Sequence, residues 1–167
     1  VAKKAIEDKL TEQLKVIANT PDATDEEKKA AADLAKQLAE IAKKAIDAAR
    51  ENADVKKIQD DSKVGIEEAV PFVEDKPNAR KAIDAEVKVK KAAIDARTDI
   101  SDKVKELLKA EVDEIAVQAK KAIDAASSVD EINKIEEAKK SEIKAVEEVR
   151  VPAEKVIVAD PTNLTDE

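Results

Sequence analysis

The sequence contains no cysteine, histidine, tryptophan or tyrosine, and it has a single phenylalanine, Phe72, and a single glycine, Gly65. Without cysteine there are no disulfides, thiol nucleophiles or zinc–thiolate sites. The lack of histidine removes the commonest general base and metal ligand, and the lack of tryptophan and tyrosine removes the usual stacking platforms for bases. These absences predict a protein that is not an enzyme and that has no catalytic, cofactor-binding or metal-binding residues.

Two further deficits concern membranes and nucleic acids. No uninterrupted apolar run approaches the roughly 18 residues of a membrane-spanning helix, which predicts no membrane insertion. The formal net charge of −8 would repel a phosphate backbone, which predicts no nucleic-acid partner. The chain has neither an initial methionine nor a signal peptide, so we expect it to be a segment of a longer protein.

What the chain does have is the composition of helices. Charged residues make up 42% and hydrophobic residues 43%, and alanine, glutamate, lysine and aspartate are abundant. Such a composition with almost no glycine is typical of helix rather than strand. Disorder is the alternative for so charged a chain. Because the larger apolar residues recur at helical spacing, the sequence favours a folded all-α protein with a thin core.

A repeat with an offset of 77 residues runs through the chain. Residues 43–49 (KKAIDAA) recur identically as residues 120–126. No gap is needed from about residue 4 to about residue 143, so a tandem duplication is predicted. The same offset relates Ile6 to Ile83, Ile17 to Ile94, Ile58 to Ile135 and Ile66 to Ile143.

Each copy divides into three helical stretches, each with one apolar stripe. A capping box, Thr24 with Glu27, opens the second helix of the first copy, and Ser128 with Glu131 opens the third helix of the second copy. Ser101 caps the second helix of the second copy, which lacks the acidic box and is expected to start less sharply. By helix, the predicted stripes are Ile6, Leu10, Leu14 and Ile17; Ala31, Leu34, Leu38, Ile41, Ala45 and Ala48; Val55, Ile58, Ile66 and Ala69; Ile83, Val87 and Ile94; Val104, Leu108, Val112, Ile115, Ala119 and Ala122; and Ile132, Ile135, Ile143, Val146 and Val149.

Three single-striped helices can bury their stripes together, which predicts two antiparallel three-helix bundles, residues 1–77 and 78–152. The prolines at 21, 71, 77 and 152 argue against one continuous coiled coil. An odd number of helices sends the chain out at the end opposite its entry, so the bundles are predicted to stack end to end as an elongated rod. Residues 153–167 are predicted to be an extended linker, with residues 156–159 extended, that leads to the start of the next module.

Two single residues carry separate expectations. Phe72 lies between Pro71 and Pro77 and is predicted to plug one bundle end; the alternative is that it packs between bundles and fixes their angle. Gly65 corresponds to Glu142 in the second copy. A backbone geometry that only glycine adopts is therefore not expected at this position.

Acidic clusters are the only candidates for a binding or catalytic site. Asp22, Asp25, Glu26 and Glu27 could suggest calcium, but their spacing lacks the order and the central glycine of an EF-hand. Acidic residues are expected in a first helical turn because of the helix dipole. We therefore interpret this cluster as helix capping.

The remaining charged pairs are interpreted as parts of solvated faces. The glutamates at 67–68 and 147–148 favour this interpretation over paired catalytic carboxylates, which need a pocket that perturbs their pKa values. The lysine doublets at 43–44 and 120–121 lie among acidic residues and are predicted to form i,i+4 ion pairs.

Residues 19–28 (NTPDATDEEK), followed by residues 45–49 (AIDAA) and 52–55 (NADV), resemble the helical repeats known as "domain of unknown function fifteen-forty-two". The resemblance covers about residues 3–150 as two copies, and residues 156–167 resemble the lead-in between modules of such proteins. These repeats occur in long arrays in Gram-positive cell-wall-anchored surface proteins and adhesins. The resemblance implies an extracellular location, with export and anchoring by signals outside this chain, and it supplies no catalytic residues.

The leading hypothesis is a structural spacer, or stalk, that projects a distal binding domain from the cell wall. Its expected partners are neighbouring repeat modules of the same chain, and the segment is expected to be monomeric. The alternative is a helical-bundle binding module for a host plasma or matrix protein, although aromatic and arginine residues typical of binding hot spots are scarce. An intracellular scaffold is a further alternative, because the compartment follows only from the resemblance.

Overall fold

A computed structural model describes the backbone of residues 1–163 and the side chains of residues 1–146. Over that range the chain forms six α-helices and no strand, which confirms the all-α prediction. The helices are α1 (Ala2–Ala18), α2 (Asp25–Ala48), α3 (Asn52–Glu67), α4 (Asp75–Asp95), α5 (Asp102–Ala125) and α6 (Val129–Asn163).

The chain divides into two compact units that follow the duplication. Unit 1 is Val1–Asp75 with Ser127–Val129, and unit 2 is Lys76–Ala126 with the chain from Asp130 onward. The second helices of the two copies, α2 and α5, begin and end 77 residues apart. Although α5 lacks the acidic box, it begins at the position equivalent to the start of α2. There Ser101 Oγ accepts a hydrogen bond from the Val104 amide at 3.2 Å.

In unit 1, each of α1, α2 and α3 packs against the other two. Lys3, at the start of α1, pairs at 2.8 Å with Asp47, at the end of α2, so these two helices run in opposite directions. The third helix contributes Ile66, which is fully buried. The core consists of two clusters of buried residues, namely Ile6, Ala39, Ala42 and Ile66, and Ile17, Ala31, Ala35 and Ala69.

The buried face of α2 differs from the predicted stripe. Leu34 and Ile41 were expected to line the core, but their exposed fractions are 47% and 63%. The buried positions are four alanines, of which Ala31 was predicted and Ala35, Ala39 and Ala42 were not; the predicted Leu38 is partly buried and packs against the core. Two apolar stripes lie side by side on this helix, and periodicity alone does not choose between them.

Unit 2 has one continuous core contributed by α4, α5 and α6. Leu108 and Val112 of α5 are buried as the sequence predicts, together with Ile83 and Ile94 of α4. The buried members of the cluster are Ala79, Ile83, Ile94, Leu108, Val112, Ala116, Ala119, Ile123, Ala126, Ile132, Ile143 and Val146. Val149, also predicted to line α6, lies outside the described side chains.

A non-helical segment connects α3 to α4. Pro71 is buried within it, whereas Pro77 lies in the first turn of α4, where proline removes no intrahelical hydrogen bond. Phe72 has an exposed fraction of 76%, so the prediction that it plugs a bundle end is wrong. Packing of Phe72 between bundles stays a prediction.

The extended tail predicted for residues 153–167 is not confirmed. Helix α6 continues past Pro152 to Asn163, and residues 164–167 lie outside the described residues. Residues 153–155 (Ala-Glu-Lys) are good helix formers, and a short apolar run such as residues 156–159 is compatible with either helix or strand. Gly65 is helical with no positive φ, which confirms that its backbone does not adopt a geometry restricted to glycine.

Candidate functional site at the start of α2

The capping box predicted at the start of α2 is confirmed. Thr24 is fully buried and has extended backbone angles, which places it as the N-cap residue. Its hydroxyl accepts a hydrogen bond from the Glu27 amide at 3.2 Å, and Glu27 Oε1 accepts one from the Thr24 amide at 3.0 Å. Two helix-start amides that lack intrahelical partners are thereby satisfied.

The carboxylate of Glu27 also binds a second segment of the chain. Its Oε2 accepts hydrogen bonds from the amides of Glu74 and Asp75, each at 2.8 Å. These residues are distant in sequence and lie where the non-helical segment meets α4. A single carboxylate therefore accepts three backbone N–H bonds, which is a strong arrangement because charge-assisted bonds are about twice as strong as neutral ones.

Asp75 is the third side chain of the site, after Thr24 and Glu27. Its Oδ2 accepts a hydrogen bond from the Thr24 hydroxyl at 2.8 Å, so Thr24 bridges the two carboxyl groups. Burial raises the pKa of Asp75 above its ordinary value; the Thr24 hydrogen bond opposes this, and the negative charges of Glu27 and Glu26 add to it. Burial also tends to raise the pKa of Glu27, but the amides of Glu74, Thr24 and Asp75 outweigh that effect and leave this pKa lowered.

The equivalent position in the second copy has only the simple cap. There, Ser101 replaces Thr24, Val104 replaces Glu27 and Pro152 replaces Asp75. Neither Val104 nor Pro152 has a carboxyl group. The arrangement that joins two segments is consequently a property of the first copy and not of the repeat in general.

The other acidic residues of this cluster lie in the first turn of α2 and in the turn before it. Asp25 and Glu26 lie exposed in the first turn of α2, and Asp22 adopts a left-handed conformation with φ 68° in the turn before it. Aspartate tolerates this conformation better than most residues. Within the described residues no group of three or more acidic side chains has the geometry to hold a metal ion.

The two glutamate pairs have different outcomes. Glu67 pairs with Lys9 at 3.0 Å on the surface of unit 1, and Glu68 is exposed. The side chains of Glu147 and Glu148 lie outside the described residues. For the first pair, exposure agrees with the predicted solvated face.

The lysine doublets pair differently from the prediction. Lys43 of α2 contacts Glu7 of α1. It also forms an ion pair of 2.9 Å with Glu40, three residues earlier on α2. Lys120 of α5 pairs across helices with Asp84 of α4 at 2.6 Å. The predicted i,i+4 pairing is therefore wrong for these two lysines, because the partners lie mainly on the neighbouring helix. The interhelical pair occurs at the same repeat position in both units.

Two of the buried polar residues that escaped the sequence analysis occupy the same repeat position. Gln13 of α1 is buried and donates from Nε2 to the Ala69 carbonyl at 2.9 Å. Lys90 of α4, at the equivalent position of unit 2, is buried and donates from Nζ to the Lys144 carbonyl at 2.7 Å. The available signal was spacing, since each polar residue follows a core isoleucine by seven positions and precedes another by four.

No helix in the described part of the chain is both long and apolar enough to cross a membrane. Two copies of a three-helix unit in one chain define a tandem helical-repeat protein. The chain belongs to the family described as Domain of Unknown Function (DUF1542), whose sequence profile matches residues 1–74 and 75–151. Searches of curated proteins and of solved structures each found no match.

Proposed function

We propose that the chain is a structural spacer, a non-catalytic stalk segment of a bacterial surface adhesin that projects a distal binding domain from the cell wall. The observation that carries this proposal is the tandem match of one family to both halves of the chain. Repetition of a domain extends a protein in steps of constant length, which suits a spacer. Its location outside the cell and its anchoring belong to the proposal as well.

The proposed arrangement is two antiparallel three-helix bundles stacked end to end as a monomeric rod. Support comes from the helix count, because three helices per copy bring the chain out at the end opposite its entry. The longest helices with fully described side chains, α2 and α5, have 24 residues each, or about 36 Å at about 1.5 Å per residue.

Small-angle X-ray scattering with a light-scattering mass tests this arrangement. Two bundles, their connecting segment and the end of α6 give a rod of about 100 Å, with a radius of gyration near 29 Å for a thin rod of that length. A compact globule of the same chain length would have about 15 Å. A monomeric mass with the larger radius is expected; the smaller radius or a dimeric mass would overturn the rod.

A binding module for a host plasma or matrix protein is the second candidate. The observation that favours it is the exposure of Leu34 and Ile41, which lie seven residues apart on one face of α2. Surface plasmon resonance of the full chain against plasma and matrix proteins tests it. Sub-micromolar binding that is lost in a Leu34→Glu, Ile41→Gln double variant would favour this function over the spacer.

A further inference from the structure

The site formed by Thr24, Glu27 and Asp75 does more than cap a helix. A capping box uses only the Thr24 hydroxyl and one oxygen of Glu27. Here the second oxygen of Glu27 accepts the amides of Glu74 and Asp75 at 2.8 Å, and Thr24 donates its hydroxyl to Asp75 at 2.8 Å. The end of the segment between α3 and α4 is thereby fastened to the start of α2.

We propose that Thr24, Glu27 and Asp75 form a proton-controlled latch that holds residues 68–75 against the start of α2. The latch tightens when the two carboxyl groups share one proton, and it opens when both are protonated. The segment it holds is packed rather than loose, since Ala69 is buried in the core of unit 1 and Pro71 is buried beside it.

The first proton acts on Asp75. Its carboxylate faces two other negative groups, Glu27 and Glu26, both on α2. When Asp75 is neutral this repulsion disappears, and its hydroxyl can donate to the carboxylate of Glu27, whose Oε2 already lies 2.8 Å from the Asp75 amide nitrogen. Because the pKa of Asp75 is higher folded than unfolded, protonation of this group favours the closed latch, and the gain is lost as the pH rises through the folded value.

The second proton acts on Glu27. A neutral carboxyl group is a weaker acceptor, and all three amides that Glu27 binds depend on its charge. The pKa of Glu27 is lower folded than unfolded, so its contribution is present above its ordinary value of 4.5 and is lost as the pH falls through the folded value. Stability of the latch therefore has a maximum between the protonation of Asp75 and the protonation of Glu27.

Hydrogen exchange of the Glu74 and Asp75 amides, followed by NMR in the full chain from pH 7.5 to pH 3, tests the latch directly. After correction for intrinsic exchange, protection should rise several-fold as Asp75 protonates on lowering the pH from 7.5. It should then fall at least tenfold as Glu27 protonates. Carbon-detected titration of the two side-chain carboxyls should show the first transition at Asp75 and the second at Glu27.

Asp75→Asn is the deciding variant, because asparagine keeps the shape and donates permanently to Glu27. It should show the higher protection already at pH 7.5 and no rise on acidification. Asp54→Asn, at an exposed first-turn position of α3, is the matched control and should keep the wild-type profile. Amides near Ser101 should lack the maximum, since Val104 replaces Glu27 there.

Two results would overturn the proposal. One is protection at Glu74 and Asp75 that changes monotonically with pH in the unaltered chain. The other is a rise on acidification that persists in Asp75→Asn. If that variant does not fold, the carboxyl titration of the unaltered chain decides alone. Protonation of Glu27 at a higher pH than Asp75 then rejects the latch.

Discussion

The two copies of the repeat share one helical plan and differ in where they place their large apolar side chains. On the second helix, the first copy buries Ala31 and Ala35, whereas the second copy buries Leu108 and Val112 at the equivalent positions. The first copy exposes Leu34, and the second has the charged Glu111 there. Unit 2 therefore gains more from burial of apolar area, at about 25 cal/mol per Å².

The two copies also differ in the side-chain contacts between their first two helices. In unit 2, Lys109 pairs with Asp95 at 2.9 Å between α5 and α4, and Lys91 pairs with Asp113 at 2.6 Å. Unit 1 has alanine at both positions of the first pair and Leu14 in place of Lys91. One fold thus tolerates either ion pairs or apolar contacts on this surface, because the backbone plan is set by the shared isoleucines and the helix caps.

The largest difference should appear when a large core residue of unit 2 is reduced to its counterpart in unit 1. Leu108→Ala gives unit 2 the alanine that unit 1 has at the equivalent position, Ala31. It should lower the free energy of unfolding of unit 2 by about 3 kcal/mol, through lost burial and a residual cavity. Native-state hydrogen exchange reports each unit separately and is the measurement of choice.

Leu107→Ala is the matched control for this prediction. Leu107 is adjacent in sequence but 46% exposed, so its truncation should cost less than about 1 kcal/mol. Equal losses of stability for the two leucines would mean that α5 does not bury the face that contains Leu108.

The next largest effect concerns the buried polar position that the copies share. Gln13→Leu keeps the side-chain volume but removes the hydrogen bond that Gln13 Nε2 donates to the Ala69 carbonyl. A buried carbonyl left without its partner costs about 1–3 kcal/mol, so unit 1 should lose that much while unit 2 is unchanged. Gln37→Leu, at an exposed position of α2, should be nearly neutral; a neutral Gln13→Leu would show that water replaces the lost donor.

These polar positions also show where sequence reasoning stops. The capping box at Thr24 was predictable because all its parts lie within one local motif. The bonds from Glu27 to the Glu74 and Asp75 amides were not, since they depend on the path of a segment almost fifty residues away. Gln13 was missed for a related reason: a polar residue on an apolar stripe is expected to face water unless its distant acceptor is known.

Core selection on α2 shows a second limit. The sequence places two adjacent apolar stripes on this helix, and hydrophobicity alone favours the one with Leu34 and Ile41. The structure buries the alanine face, which is the face that carries Leu108 and Val112 in the second copy. The second copy could have indicated the exposed face, since polar residues, Glu111 and Gln118, occupy the positions equivalent to Leu34 and Ile41.

A smaller effect is expected at Gly65, where the copies differ without a structural reason. A Cβ added at this residue would meet nothing within 4 Å, and its backbone is helical. Gly65→Ala should therefore stabilise unit 1 by about 0.4–1 kcal/mol, chiefly by restricting the unfolded chain. Urea denaturation with hydrogen exchange measures it, and a destabilised variant would mean that the helix is distorted there.

The smallest effect should come from giving α2 the surface of α5. Leu34→Glu with Ile41→Gln installs the residues of unit 2 at two exposed positions, so the free energy of unfolding of unit 1 should change by no more than about 0.5 kcal/mol. Ala35→Glu, one residue away on the buried stripe, supplies the contrast, because an unpaired charge in the core should unfold or strongly destabilise the unit. If the double variant were as damaging as Ala35→Glu, the face with Leu34 and Ile41 would be the one buried in unit 1, and the two copies would bury different faces of their second helices.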